Sequence, residues 1–363
     1  MTTPDYINTL IDSRSRLAAI PQIAADARKD GQKVVGYSCP CIPEELILAA
    51  GMLPLRVPFG GDRSRITENL DAFCTLEGCE AEERDKDRFN IPVLSLELPI
   101  TNDDYETAPP AVAAFRKSLG TLRHQLEELG GKRIRNGDIL RALKLCQAVR
   151  ENLRSLFEFP QSDASPVEWR DLFDFLQAGC LNKREYFLEE TAKLEAALKQ
   201  KMSEGTRNDT RPRLMICGTA LGADDGLILE LINQAGGVIV ADCLCNGAMR
   251  LRKRTASFGL VDNPMDSLVE LYLYNVPGPC HGNMPRRVNY VLKTIRDFRV
   301  HGLIYYSGQN KYSPLSAQVK PIKDRIYKEL LVPTFVLGVV PAGEQESVRD
   351  RLNSFLDIVG GRV

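Results

Sequence analysis

The sequence is short of several things. It has three histidines and one tryptophan in 363 residues. That leaves little for a histidine-rich metal centre, and only His281 sits beside a cysteine. Excess charge of one sign is missing too: 47 Lys and Arg against 48 Asp and Glu leave a formal net charge of −1. No dominant basic stripe compensates, so nucleic acid is not an expected partner. No stretch approaches the roughly 20 apolar residues that span a bilayer. The opening MTTPDYINTLIDSRSRLAAI is a polar, amphipathic helix pattern without the apolar core and small-residue cleavage site of a secretory signal. The expected location is the cytoplasm. There is no G-x-x-x-x-G-K-S/T loop for nucleotide phosphates.

Cysteine, by contrast, is abundant, with ten in the chain. In a reducing compartment these are buried thiols, metal ligands or nucleophiles rather than disulfides. Cys146 and Cys180 lie in helical patterns and Cys217 in an apolar strand, where cysteine acts as a small buried hydrophobe. The other seven, Cys39, Cys41, Cys74, Cys79, Cys243, Cys245 and Cys280, fall at turn-like places.

Length exceeds what one core usually accommodates, so two domains are expected. Three blocks follow from the patterning. Residues 1–110 hold the opening helix and a first α/β unit: KVVGYS, LPLRV and IPVLSLELP read as buried strands, and PEELILAAG as a helix. Cys74 and Cys79 lie between the strands on what reads as a short polar connection. Residues 111–208 repeat apolar residues at helical spacing and have no strand signal, a helical connector in which Trp169 is expected to pack. Residues 209–363 alternate RLMICGT, GGVIVADC, HGLIYYSG and PTFVLGVV with helices. Such alternation means an α/β fold with parallel sheets covered on both faces.

In such sheets ligands bind beyond the carboxyl ends of the strands. Cys39 and Cys41 follow one strand, and Cys243 and Cys245 another, so thiols from both α/β blocks are expected at one cleft. Several converging thiols suit ligation of a soft metal better than nucleophilic catalysis, which needs one. Zinc stays open as the alternative. The loop GTALGADDG after a strand could receive an anion, but Asp224 and Asp225 oppose one, so N-capping is the expected role. Arg250, Arg252, Lys253 and Arg254 could hold phosphates, dock an acidic partner or form a solvated helix face. His281 could move protons, since its charge changes near neutral pH.

The run GYSCPCIPEELILAAGMLPLRV resembles the N-terminal signature of the superfamily of 2-hydroxyacyl-CoA dehydratase component D. That superfamily also contains benzoyl-CoA reductase cluster subunits and double-cubane cluster proteins. IPVLSLELP, PRLMICGTALG, DCLCNG, LYLYNVPGPCHG, HGLIYYSGQNKY and GEQESVRDRLNSFLDIV continue the resemblance in order through nearly the whole chain. It implies two flavodoxin-like, Rossmann-like parallel-sheet domains with an iron–sulfur cluster between them, either one 4Fe–4S cubane or a fused double cubane. It also implies an ATP-hydrolysing activator as electron donor, acyl-CoA as a partner, and a homodimer or a heterodimer with a paralogous subunit.

Residue by residue, Cys74 and Cys79 fit the family's first two cluster cysteines, although the family usually has a longer segment between them. The third position reads Gln309. Cys39, Cys245 and Cys280 resemble the double-cubane ligands and stand first in the expected set, then Cys74 and Cys79, then Cys41 and Cys243. Gln309 would be a weak oxygen ligand, a proton donor or structural; Arg250 and Arg252 would meet CoA phosphates. Two function classes stay open. One is an enzyme subunit, either a 2-hydroxyacyl-CoA dehydratase-type lyase or a double-cubane-type ATP-dependent reductase. The other is a noncatalytic electron-relay, cluster-carrying or structural subunit serving a catalytic paralogue.

Overall fold

The computed structural model describes residues 19–59, 67–79, 90–99, 109–181, 183–205, 208–222, 225–251, 263–274, 284–308, 318–341 and 343–361, with the side chain of residue 250 excepted. Within them stand two four-stranded sheets, all parallel. The first contains β1 (Val34–Tyr37), β2 (Leu53–Arg56), β3 (Ala72–Leu76) and β4 (Val93–Leu96) in the order β2-β1-β3-β4. The second contains β5 (Arg213–Gly218), β6 (Val238–Cys243), β7 (Gly302–Tyr306) and β8 (Thr334–Leu337) in the order β6-β5-β7-β8. Both repeat one doubly wound, flavodoxin-like order, so each has a switch point, between β1 and β3 and between β5 and β7.

The strands are short apolar runs because both faces are covered. In the first sheet Val34, Leu53, Leu55 and Phe73 pack with Ile20 and Ala24 of α1 (Ile20–Lys29). Val35, Tyr37, Leu76 and Leu94 pack on the other face with α2 (Glu44–Ala49), α3 (Pro109–Gly130) and α4 (Asn136–Leu156). In the second, Leu214, Ile216 and Ile304 join α5 (Trp169–Gly179), α6 (Arg184–Ser203), α7 (Gly226–Gln234) and α11 (Gln345–Gly360). Met215, Val240 and Leu303 face α9 (Met284–Asp297) and α10 (Val319–Leu330). The long helices are divided between the cores: α3 serves the first, α5 and α6 the second, and α4 both, through Ile139 and Leu143 in the first and Leu153 and Leu156 in the second. α8 (Pro264–Leu273) comes from the second half of the chain, yet packs Met265, Leu268 and Leu271 into the first core.

One element differs from the sequence reading. The segment taken as a polar connection contains β3, paired with β1 and β4, so Cys74 lies inside a central strand. AFCTL is five residues flanked by polar residues on both sides, too short to stand out in the pattern.

The carboxyl ends of the sheets meet. The loop after β2 brings Phe59 against the loop after β5, where a Cβ on Gly222 would fall 2.4 Å from the Phe59 carbonyl oxygen. Backbone there cannot retreat as a flexible side chain would. Gly222→Ala should therefore cost about 1–3 kcal/mol of stability in denaturant titration. A midpoint unchanged from wild type would show that the loops separate freely.

Candidate metal centre at the sheet carboxyl ends

β1 ends at Tyr37 and β3 at Leu76, so the chain after each leaves the switch point of the first sheet. Cys39 and Cys41 follow β1, and Cys79 follows β3. The Cys39 thiol lies within hydrogen-bonding reach of both Cys41 and Cys79. All three are buried, at 6%, 0% and 3% exposure, and Cys74 packs in the same core. The hydrogen bonds to Cys41 and Cys79 push the Cys39 thiol well above its ordinary range, and burial adds to this. These are thiols held against one another rather than splayed ligands, and among the described residues no three His, Cys, Asp or Glu side chains stand in metal-holding geometry. The donor chemistry fits a soft metal all the same. Three sulfurs from two adjacent loops converge, and a bound cation would reverse the protonation preference that burial imposes.

The second sheet holds Cys243 and Cys245 differently. Cys243 ends β6 and turns into the core, its sulfur 3.4 Å from Met249 Sδ and hydrogen-bonded to Cys217 on the neighbouring strand. Burial opposes its ionisation, but the Cys217 hydrogen bond and the Arg287 guanidinium bring it down to about 7. Cys217 is pushed up, by burial first. Cys245 is half-buried, near Arg287 and Tyr305.

Their loop is fixed by buried polar groups. Asp242 accepts hydrogen bonds from Trp169 Nε1 at 2.8 Å, Ala248 N at 3.0 Å and Leu244 N at 3.2 Å. Only glycine fits at 247, since a Cβ would fall 2.0 Å from Asp242 Oδ1. Asn246 ties the loop to its neighbour, accepting from Leu221 N and donating to Leu221 O. Arg287, fully buried, donates to Gly218 O at 2.9 Å and to Cys243 O at 3.5 Å. Trp169 thus packs, stacked on Phe173, and also anchors the loop that carries Cys245.

Asp225 precedes α7 but caps it through no side-chain bond. Its carboxylate accepts from Gly222 N and from the Tyr306 hydroxyl, joining the ends of β5 and β7. Asp224 lies outside the described residues, as do Cys280, His281, Gln309, Arg252, Lys253 and Arg254; Arg250 sits in the 3₁₀ turn Ala248–Leu251, its side chain likewise outside them.

A buried ionic network, not anticipated from the sequence, braces α2 just beyond the thiols. Glu44 accepts from Arg184 Nη2 at 2.5 Å and from the Tyr37 hydroxyl at 2.8 Å. Glu45 accepts from Arg150 Nη2 at 2.5 Å and from the Tyr272 hydroxyl at 2.7 Å. The glutamates read as helix-start residues, and the arginines that meet them lie 140 and 105 positions away. Burial resists ionisation of Glu44, but Arg184 overrides it and holds the carboxyl at about 2. Because this pKa is depressed from 4.5, its contribution to stability is complete above about pH 5 and is lost as pH falls toward 2. Urea midpoints should drop over that interval by the equivalent of about 2–3 kcal/mol. In Glu44→Gln that acid limb should flatten; an unaltered limb would dissociate the effect from Glu44.

Among the described residues no helix is long and apolar enough to cross a membrane. Comparison with known proteins places the chain further. (R)-phenyllactyl-CoA dehydratase beta subunit of Clostridium sporogenes is 20% identical over 304 residues, 76% of this chain and 78% of that protein. YjiM of Escherichia coli (strain K12), whose name describes a dehydratase subunit, is 23% identical over 214 residues, 59% of this chain. The match spans only 54% of YjiM, about half its length. A solved complex of SsGBP with GDP is 10% identical, covers 91% of this chain and 99% of that one, and has a TM-score of 0.28, too low to carry an argument. The family described as 2-hydroxyglutaryl-CoA dehydratase, D-component, matches residues 80–359, starting just past Cys79 and including Cys243, Cys245 and Cys280. With most of its length matched, the chain belongs to the 2-hydroxyglutaryl-CoA dehydratase D-component family.

Proposed function

We propose that this chain is an iron–sulfur subunit that receives low-potential electrons from a separate ATP-hydrolysing activator. The electrons serve dehydration of a 2-hydroxyacyl-CoA or reduction of a small substrate. The single observation that carries the reading is the meeting of Cys39, Cys41 and Cys79 at the switch point of the first sheet. Cys39, Cys41 and Cys79 would hold one side of the cluster, and Cys245 and Cys280 are the ligands proposed from the second half; Cys74 and Cys243 stand in reserve. A cluster there would supply one-electron transfer at low potential.

The chain's own groups do the rest. The apolar core packed around Cys39, Cys41 and Cys79 keeps water from their sulfurs. Asp242, Trp169 and Arg287 fix the Cys243–Cys245 loop, and the Glu44 and Glu45 pairs hold α2 rigid behind Cys41. Arg250 and Arg252 are proposed to meet CoA phosphates, His281 and Gln309 to move protons. Dimerisation, with itself or with a paralogue, belongs to the same reading. The second reading, a noncatalytic electron-relay, cluster-carrying or structural subunit, is favoured by glutamine at position 309, where the family resemblance implies a cysteine.

Purification without oxygen followed by iron and acid-labile sulfide analysis tests the proposal. About four irons per chain are expected for one cubane and about eight for a fused pair. Zinc with no iron would overturn it.

A further inference from the structure

A cavity of about 90 Å³ opens beside the α2 network, lined by Tyr37, Glu44, Arg56, Arg150, Cys180 and Arg184 together with apolar side chains such as Ile42, Leu176 and Phe187. Its charges do not cancel. Glu44 is matched by Arg184, and Glu45, just behind, by Arg150. Among the described residues Arg56, the last residue of β2, is left over, with no carboxylate paired to it. It is only 8% exposed, and its Nη1 reaches a thiol, Cys180 Sγ at 3.6 Å, rather than a carboxylate. Its Nη2 has no hydrogen-bond partner among the described residues, and neither has Arg150 Nε, which lines the same space. The nearby Tyr37 hydroxyl already gives its proton to Glu44.

A buried guanidinium without a counterion is strongly unfavourable, so buried charges in proteins are normally paired. An anion bound in the cavity would complete this one. The planar fork of arginine matches a carboxylate. The apolar part of the lining matches a short hydrocarbon end and gives nothing to the further oxygens of an inorganic oxyanion. Room on the order of three water molecules limits the guest to a few heavy atoms. We propose that this cavity is a binding site for a short-chain monocarboxylate, held by Arg56 at its charged end. The site is separate from the thiols: Pro40 and Ile42 line it, whereas the alternating Cys39 and Cys41 meet Cys79.

The test needs no cluster readout, so its outcome is independent of iron content. The full-length protein is melted in carboxylate-free buffer with sodium acetate, sodium lactate, sodium phosphate, sodium chloride or acetamide at matched ionic strength. Acetate or lactate should raise the melting temperature by roughly 2 °C or more at tens of millimolar, and the other three should not. Arg56→Met, checked for folding by circular dichroism, should lose the response. Should that variant not fold, Cys180→Leu fills the cavity while keeping the charge, and should lose it as well. No response in wild type would mean that water alone satisfies Arg56 and would overturn the proposal. An equal shift with phosphate or chloride, or a response retained by the variants, would overturn it too.

Discussion

On the proposed function, Cys39→Ala and Cys79→Ala, purified without oxygen, should each hold far less iron than the wild-type chain, while Cys146→Ala should match it. Cys39 touches both Cys41 and Cys79, so its removal breaks the group at its centre. Cys146 is as buried as they are, but sits on α4 within reach of the Glu44 and Glu45 pairs rather than of the other thiols, and burial pushes its thiol up. It therefore controls for the loss of a buried sulfur as such. Cys245→Ala extends the series to the second half of the chain and should also lose iron, because the proposed ligand set draws on both sheets. Equal iron in the Cys39, Cys79, Cys245 and Cys146 variants would refute that set. Each variant's urea midpoint belongs beside its iron content, since small-to-smaller changes in a core cost stability without touching metal.

Glu45→Ala should be the most destabilising single change in the α2 region, by about 3–5 kcal/mol. Glu45 is fully buried and accepts from Arg150 and from Tyr272 on α8. Deleting the carboxylate leaves the mostly buried Arg150 guanidinium without its counterion and removes the acceptor for the Tyr272 hydroxyl. The cost comes from the stranded partners more than from the lost attraction. Glu45→Gln, which keeps an acceptor of similar shape, should cost less. Urea unfolding followed by far-ultraviolet circular dichroism measures both. A loss below about 1 kcal/mol for the alanine variant, the range of an exposed pair, would mean that water reaches Arg150.

Most of the fold was legible because parallel strands covered on both faces are plain apolar runs, as RLMICG and VIVADC show. β3 was not, since AFCTL is brief and set in polar chain. That omission hid the site's geometry. With Cys74 read as loop, nothing in the pattern put Cys79 beside Cys39 at a switch point; the C-x-C and C-x4-C spacings alone do not specify which sulfurs meet. The position of Cys243 was hidden for a related reason. In the pattern it follows a strand, as a ligand would, yet it is the last residue of β6, paired with Cys217 on β5, while Cys245 lies in the turn beyond and stays half-buried. The Glu44 and Glu45 pairs had no local signature at all, because two acids in the first turn of a helix are ordinary capping chemistry. Asp225 shows the converse: its position announces a cap, but the hydroxyl of Tyr306, on the strand next to β5, supplies a better partner.

α8 has a bearing on how the molecule can be dissected. It lies more than 50 residues beyond the start of the second sheet, yet completes the core of the first, with Tyr272 closing the Glu45 pair. The chain therefore crosses from one half to the other and back. No single cut yields either half with its interior intact: a fragment ending near residue 208 lacks α8, and the complementary fragment carries that helix with its apolar face bare. Unfolding of the two halves should be coupled into one cooperative transition rather than two. Fragments expressed separately would be expected to stay insoluble alone and to regain structure only when mixed, much as a clasp holds only when both parts are present.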